Sequence, residues 1–567
     1  MTIMLPGELR GFAYNRVVPV EMNNFDVDLI LSSFFFKAVT EGMDRAKRSN
    51  DPTRVREFIN DLAHHRDLRG FDDLDGRQLL DRLVRTTLVQ MGRRGQARTQ
   101  DQILGVTEYS LLAFKCEFPT ESSRLRRVDA LIYRMMRDQF GDAPALRKFF
   151  EDVFGEGVKV RGGRDPGGEY DGVTQLDTLT RLSIAFLDSF EPTGTRPPRE
   201  KPPREACPAV AGAMAQDLYR YLKTYHSRMP VAALTYHFKA LIDFELLIYT
   251  LKLMYAVTAL VEHPEVLPLA MQRVFTPSPP DLYLDFTGEV RGRSREMAAA
   301  AVRRDVEMMQ RFIPANLTLR HLDRYVVGFR GNRRVAEMLE ELLPPDDGGP
   351  EYLQALIGLM EHDTIGQRLD LAASGDIDKI KRENTVGGDD GELEVQNTEV
   401  ELLVAAADTE FAQLMHLITE SQRKQIASNV LKWFSSVGGL AKSHGILVGT
   451  GKSRQSWRYA PSNDLLATLV QLAAVDTEAW REEAPAPTAI TLREFYAWLD
   501  RRFGIRIDRP PSGFAGVDYV AAAKENASKM LARLQQMGIF RDLSDDFTVQ
   551  RLTPPYMVER EQGEQGE

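Results

Sequence analysis

Seven basic residues, with no Asp or Glu among them, stand between Ser421 and Asn463. They are Arg423, Lys424, Lys432, Lys442, Lys452, Arg454 and Arg458. The whole chain of 567 residues has a formal net charge of −10, so this concentration of positive charge is a local feature. Lysine and arginine grouped in this way can neutralise the phosphates of a nucleic-acid backbone. The segment is therefore the candidate DNA-binding site.

Two elements would position these bases. Apolar residues from Ile426 to Val437 recur at spacings of three and four, which predicts a helix that Gly438-Gly439 ends. Between Gly445 and Tyr459, two apolar or aromatic runs flank a glycine-rich, basic tip, which predicts a β-hairpin. A helix followed by a hairpin is typical of a winged-helix unit, in which the hairpin contacts phosphates.

Two other interpretations of the basic segment stay open. Winged-helix units also dock proteins inside large complexes, and a basic segment can simply pack against the acidic remainder of its own chain. A DNA-contacting subunit should lose salt-sensitive binding when Lys452, Arg454 and Arg458 are neutralised. A protein-docking adaptor should have no DNA affinity of its own and should expose a large apolar patch instead.

A phosphate-binding loop for ATP is not predicted. Gly449-Thr-Gly-Lys-Ser453 resembles the end of such a loop, but the motif requires a glycine five residues before Gly451. That position is Ile446, and Gly445 is one residue too early. The loop would have the wrong length to surround a phosphate.

A nuclease centre is a remote alternative. Asp285 and Glu289 faintly match a carboxylate cluster that holds Mg²⁺, but their spacing is short and Arg291 replaces the usual lysine. Such a site would need Asp281 to converge with both carboxylates and with a lysine from elsewhere. The adjacent histidines His64-His65 point apart on a helix and are expected at a polar helix end. We therefore expect a non-enzymatic protein without catalytic residues, metal site or cofactor.

The composition indicates a cytoplasmic protein. The two cysteines, Cys116 and Cys207, exclude a disulfide scaffold and a four-cysteine zinc site, and Cys116 is expected to be a buried thiol. The first residues lack the features of a signal peptide. The most apolar stretch, Leu246 to Val261, is too short to span a bilayer and predicts a buried helix, so no membrane association is expected.

The fold class predicted is mainly α, with multi-helical N-terminal and middle regions and C-terminal winged-helix-like units, because helical periodicity dominates the chain before residue 440. Between His237 and Val261 apolar residues surround the helix almost completely, which predicts a central helix. The predicted divisions are a helical domain (1–190), a Pro-rich, solvated linker (191–208), a helical domain (209–374), an acidic loop or linker (375–401), a basic winged-helix-like unit (402–482), a second such unit (483–556) and a disordered tail (557–567). The acidic loop is close in sequence to the basic unit and opposite to it in charge, which suggests that the loop masks the basic unit.

The second unit follows the same order. Thr491-Leu-Arg-Glu494 is a capping box that opens a helix over 492–503. A longer helix is predicted over 518–537, with Arg533 on a side away from its core face and Gly538 as its cap. Residues 539–552 predict a closing hairpin.

This C-terminal order resembles accessory subunits of bacterial antiphage defence islands. The resemblance rests on the basic helix, the hairpin that leads into Ala460-Pro-Ser-Asn-Asp-Leu-Leu, and the runs Leu492-Arg-Glu-Phe-Tyr-Ala-Trp-Leu499, Leu531-Ala-Arg-Leu-Gln-Gln-Met-Gly538 and Asp542-Leu-Ser-Asp545. It is similar to components of the methylation-associated defence system and to the DptG-like component of phosphorothioation-dependent restriction. The resemblance implies a non-enzymatic subunit that works beside an ATPase, nuclease or methyltransferase, and it supplies no active-site residues.

Overall fold

Helices dominate the structure, which is a computed structural model of the chain. It describes residues 3–46, 53–66, 68–92, 101–118, 124–198, 203–273, 280–345, 348–385, 398–440, 442–451, 453–540 and 550–558. Helical residues make up 58% of the structure, in eighteen helices within these ranges. The strands are short and pair only two at a time in the described part. The mainly α fold class predicted from the sequence is confirmed.

The elements have the following bounds. The helices are Ile30–Val39, Arg56–Ala63, Leu74–Leu83, Val128–Phe140, Ala143–Phe154, Thr178–Leu187, Pro208–Tyr225, Val231–Glu262, Leu269–Gln272, Arg293–Phe329, Arg333–Leu342, Pro350–Gly358, Asp363–Glu383, Thr398–Val404, Glu410–Val437, Asn463–Val475, Leu492–Phe503 and Val517–Gln536. The antiparallel strand pairs are Asp44–Arg45 with Thr195–Arg196, Val89–Met91 with Ile103–Val106, Val158–Arg161 with Gly167–Tyr170, Leu447–Thr450 with Ser453–Tyr459, and Ile490–Thr491 with Arg551–Leu552. Leu282–Tyr283 and Ile505–Arg506 form a parallel pair.

The central helix, Val231–Glu262, is buried along most of its length, as its all-round apolar pattern predicts. Five other helices in the described residues pack against it: Pro208–Tyr225, Leu269–Gln272, Arg293–Phe329, Glu410–Val437 and Asn463–Val475. It is the one helix in the described residues that is apolar and long enough to cross a membrane, and 83% of its most apolar window is buried inside the structure. With 32 residues it extends well beyond the apolar stretch Leu246 to Val261 that the sequence marks. Its burial inside the structure explains its apolar composition.

Charged residues on the central helix find partners from distant parts of the chain. Lys239 donates to Glu108 at 2.6 Å, and Asp243 lies 3.1 Å from Nε2 of His444. Burial raises the pKa of Asp243 to about 6, against the hydrogen bond from His444. Such charges must be paired because an isolated buried charge is costly. The core therefore joins residues from regions that the sequence divides into separate domains, and one apolar cluster extends from Ile3 to Leu552.

The described residues of the predicted Pro-rich linker are partly exposed and partly packed against the rest of the chain. The strand Thr195–Arg196 pairs with the strand Asp44–Arg45. The Glu205 carboxylate accepts hydrogen bonds from Arg134 and from the Tyr249 hydroxyl. Cys207 is fully buried, and Pro208 begins the next helix. The described residues of this segment thus lie at the surface and enter the core at Cys207.

The acidic segment predicted as a loop over 375–401 begins and ends in helices. The helix Asp363–Glu383 continues nine residues into it, and Thr398–Val404 is helical. In the first helix Ile377 and Ile380 are buried, while the carboxylate of Asp376 accepts from Tyr325 at 2.7 Å. The remainder of the segment, residues 386–397, lies outside the described residues, and with it the proposed masking of the basic segment.

The second C-terminal unit contacts the middle of the chain through the parallel pair of Ile505–Arg506 with Leu282–Tyr283. The helix Leu492–Phe503 has the predicted bounds and the complete capping box of Thr491 and Glu494. The longer helix, Val517–Gln536, is called the C-terminal helix below. Most of the predicted closing hairpin, residues 541–549, lies outside the described residues, although Phe540 and Leu552 on either side are bridged.

Candidate nucleic-acid interface

The basic helix, Glu410–Val437, separates its bases from its core contacts. Its buried residues in this part are the ones that the periodicity predicts: Ile426, Val430, Trp433, Phe434 and Val437. The indole nitrogen of Trp433 donates to the hydroxyl of Thr250 at 3.2 Å, which fixes the rotation of the helix against the central helix. Lys424 and Lys432 are exposed on the other side. Their spacing of eight residues places them on one face, about two turns apart.

Neutral polar side chains occupy the helix surface between and beyond the two lysines. They are Gln425, Ser428, Asn429 and Ser435, all exposed or half-buried. Gln425 donates to Asn429 at 3.3 Å, and Lys432 approaches the same amide oxygen at 3.5 Å. Amides, hydroxyls and ammonium groups are the side chains that contact phosphates and sugars in protein–DNA complexes.

The basic hairpin consists of the strands Leu447–Thr450 and Ser453–Tyr459. A Cβ atom at Gly449 would lie 2.5 Å from the Trp457 ring, so only glycine fits there. The Trp457 indole nitrogen donates to the carbonyl oxygen of Thr450 at 3.0 Å. The hairpin is thus packed at its base, while its tip, including Arg454, is exposed.

The base of the hairpin is attached to a buried carboxylate. The Tyr459 hydroxyl donates to Asp305 at 2.7 Å, and the Tyr255 hydroxyl donates to the same carboxylate at 3.0 Å. Burial, opposed by Arg304, raises the pKa of Asp305. Asp305 belongs to the helix Arg293–Phe329, so the hairpin is fixed to the middle region of the chain.

Two of the predicted DNA-binding residues at the base of the hairpin are already paired. The Nε atom of Arg458 donates to Asp285 at 3.2 Å, and the side chain of Asp285 is 0% exposed. The Lys442 ammonium donates to Asp26 at 2.7 Å and also to Asp28. Burial by itself raises the pKa of Asp28, but the contact with Lys442 outweighs burial and lowers it overall. These two cations neutralise acids that come from elsewhere in the chain.

The seven predicted residues therefore divide into groups. Lys424, Lys432 and Arg454 are exposed and have no carboxylate partner among the described residues. Arg423 is half-exposed and pairs with Glu420 at 2.6 Å. Lys442 and Arg458 are in ion pairs, and Lys452 lies outside the described residues. The exposed basic face is defined as Lys424, Lys432 and Arg454.

The weaker motifs have structural explanations. Gly449 and Gly451 belong to an antiparallel hairpin, whereas a phosphate-binding loop joins a strand to a helix. Asp281 forms an ion pair with Arg506 at 3.2 Å, so both Asp281 and Asp285 are bound to arginines. Within the described ranges, no group of three His, Cys, Asp or Glu residues is placed to hold a metal ion.

His64 and Cys116 lie where the sequence places them, at a helix end and in the core. His64 is the cap residue at the end of the helix Arg56–Ala63, and its Nδ1 atom is 2.8 Å from the carbonyl oxygen of Asn60. Cys116 is completely buried.

The helix–hairpin–helix order is present, but the first unit is not self-contained. The basic helix has 28 residues and packs against the central helix and against Arg293–Phe329. The basic hairpin is followed by the helix Asn463–Val475, which also packs on the central helix. A winged-helix identity for this unit stays a prediction.

The comparison with known families identifies a family that matches almost the whole chain. The family model described as methylation-associated defense system protein MAD7 matches residues 7–556. Because the match covers almost the whole chain, the chain belongs to this family of antiphage defence proteins. This match confirms the resemblance to the methylation-associated defence system that the sequence shows from about Ser421 onward. It also covers the helical N-terminal and middle regions. No curated protein matches the sequence.

Proposed function

We propose that this chain is a non-enzymatic subunit of a methylation-associated defence complex and that its exposed basic face contacts DNA. The observation that carries the proposal is the presence of three exposed cations in a segment without any acid from Ser421 to Asn463. The chain as a whole is acidic, so an acid-free segment with exposed cations repels a polyanion less than the average of the chain does. The proposed site of action is the cytoplasm, where the DNA of cell and phage lies.

The exposed and the paired cations would contribute differently to binding. Each exposed lysine or arginine can exchange its counterions for a phosphate, and the released ions make the affinity depend on salt. Lys442 and Arg458 would first have to leave Asp26, Asp28 and Asp285, which is unfavourable for the buried Asp285. We therefore assign the main DNA contact to Lys424, Lys432 and Arg454, while Lys442 and Arg458 keep their ion pairs with Asp26, Asp28 and Asp285.

A second candidate function is a docking adaptor for an ATPase, nuclease or methyltransferase of the same system, without DNA affinity of its own. Two exposed leucines favour it: Leu371 is 76% exposed and Leu402 is 68% exposed. Their helices, Asp363–Glu383 and Thr398–Val404, both pack against the basic helix. Exposed apolar side chains on neighbouring elements suit contact with another protein. The two functions are compatible, because the leucines and the exposed basic face are separate sets of residues.

The test is a fluorescence-anisotropy titration of a labelled DNA duplex with the full-length protein at low salt. We expect the triple variant Lys424→Gln, Lys432→Gln, Arg454→Gln to bind about a hundredfold more weakly, at about 1 kcal/mol for each lost phosphate contact. A matched control removes two lysines and one arginine that are exposed on other helices and have no carboxylate partner among the described residues: Lys524→Gln, Lys529→Gln and Arg493→Gln.

Equal loss in both triple variants would show that net charge, not the exposed basic face, determines affinity. No binding by the full-length protein at about 50 mM salt, where electrostatic binding is strong, would reject the DNA contact and favour the docking adaptor.

A further inference from the structure

A cavity of about 340 Å³ lies between the base of the basic hairpin and the C-terminal helix. Its walls include apolar groups of Leu447, Val448, Ala460 and Pro461, and three cationic side chains, Lys442, Arg458 and Arg533. The sequence assigns the first two cations to DNA contact and places Arg533 on a side of its helix away from the core face.

Arg533 enters this cavity without a carboxylate within ion-pair distance in the described part of the chain. Its two terminal nitrogens donate to backbone carbonyl oxygens, of Pro461 at 3.2 Å and of Phe286 at 3.4 Å. Its guanidinium also lies 5.4 Å from the centre of the Phe286 ring. These neutral groups position the arginine but leave its positive charge uncompensated.

The Asp285 carboxylate acts on both arginines. It is bound to Arg458, and its other oxygen accepts from Ser294 at 2.8 Å and from Thr287 at 2.7 Å. Burial lowers the pKa of Arg533, Asp285 raises it and Arg458 lowers it, which leaves the pKa below its usual value. Two guanidiniums therefore share a single carboxylate, and one positive charge is in excess.

Lys442, the third cation, does not change this balance, because its ammonium is neutralised by Asp26 and Asp28. The excess charge belongs to the arginine pair. In the described residues, the two terminal nitrogens of Arg458 have no hydrogen-bond partner and are free to donate.

We propose that this cavity binds a phosphate group between Arg458 and Arg533. A phosphate oxygen accepts charge-assisted hydrogen bonds from guanidinium groups, and the open side of the cavity lets a phosphate enter from solvent. The volume exceeds that of a phosphate alone, so a sugar or a second phosphate can enter with it. If the phosphate belongs to a DNA backbone, the inference rests on the proposed function. A free phosphate compound would bind whether or not the chain contacts DNA.

The test uses the full-length protein and two probes, inorganic pyrophosphate by calorimetry and a labelled duplex by anisotropy. Arg533→Gln removes the excess charge. Val448→Trp, at a wall residue that is 38% exposed, obstructs the cavity without changing charge. Lys524→Gln is the matched control, because Lys524 is exposed on the opposite side of the same helix.

We expect both cavity variants, but not the control, to weaken binding of at least one probe by about tenfold, the effect of losing a charge-assisted hydrogen bond. A loss confined to pyrophosphate identifies a free phosphate compound. A loss confined to the duplex, with a salt slope smaller by about 0.9, identifies a backbone phosphate.

Affinities that are the same in wild type, both cavity variants and control would overturn the proposal. If the duplex then still depends on Lys424, Lys432 and Arg454, the cavity inference fails while the proposed function stands. If pyrophosphate binding depends on Arg533 and the duplex does not bind at all, the cavity inference stands and the proposed function fails.

Discussion

At the base of the basic hairpin, Arg458 and the neighbouring Lys442 are ion-paired, whereas the hairpin tip and the basic helix leave their cations exposed. Arg458 and Lys442 bind Asp285, Asp26 and Asp28, and the Arg458 side chain is only 14% exposed. Arg454, four residues earlier along the same strand, is exposed and has no carboxylate partner in the described residues. Bases that are close in sequence thus differ in their contacts. Lys442 and Arg458 neutralise carboxylates of the same chain, and Arg454 is available for binding.

The partners of the paired cations lie far away in the sequence. Arg458 and Asp285 are 173 positions apart, and Lys442 and Asp26 are 416 positions apart. A count of bases in a segment measures its charge, but the fold decides which of those charges remain available. This comparison predicts that substitutions at the base affect unfolding and those on the exposed basic face affect binding.

Arg458→Met should have the largest effect on stability. It leaves the Asp285 carboxylate buried without its ion-pair partner, and loss of one partner of a buried pair costs about 3–5 kcal/mol. Denaturant unfolding of the full-length protein measures this loss. The control is Arg454→Met at the exposed tip, which should change the free energy of unfolding by less than about 0.5 kcal/mol. Equal effects of the two substitutions would show that the base and the tip do not differ.

Gly449→Ala should have an intermediate effect. A methyl group there would lie 2.5 Å from the Trp457 ring, so the strand or the indole must move. Overpacking of this kind costs about 1–3 kcal/mol. Gly451→Ala is the matched control, because its Cβ would have no neighbour within 4 Å. Comparison of the two midpoints in thermal unfolding measures the difference, and a more destabilising Gly451→Ala would show that the tip is packed and the base is open.

Lys442→Met should have a smaller effect that depends on pH. The pair is partly exposed, so we expect a loss of about 1 kcal/mol at pH 7. The pKa of Asp28 is lowered in the folded chain, so the stabilisation is present above the ordinary carboxyl pKa and is lost as the pH falls through the lowered value. The difference between wild type and variant should be complete above about pH 5 and should shrink below about pH 4. Unfolding curves at several pH values test this; a difference that grows on acidification would contradict it.

Features that depend on neighbouring residues could be predicted from the sequence. The capping box at Thr491 and Glu494 marks the start of the helix Leu492–Phe503, because both hydrogen bonds form within three residues. The buried face of the basic helix follows from spacing alone. The central helix is also visible in the sequence, because a helix that is apolar on every side must be surrounded.

Features that depend on distant residues could not be predicted. Arg533 has an ordinary place on an amphipathic helix, and only the fold brings it to Arg458 and Asp285. The Pro-rich composition of residues 191–208 indicates an extended conformation, but it cannot show that Glu205 and Cys207 enter the core. The acids that neutralise Lys442 belong to the N-terminal region, which contains no signal of that contact.

The central claim is that the exposed basic face makes most of the salt-dependent contact with DNA phosphates. The most direct test is the slope of log K against log salt for duplex binding, compared between the full-length wild type and the Lys424→Gln, Lys432→Gln, Arg454→Gln variant. Each phosphate contact contributes about 0.9 to that slope, so the account predicts a slope smaller by about 2.7 in the variant, with an unchanged free energy of unfolding. An unchanged slope in a variant that still binds DNA would contradict the account.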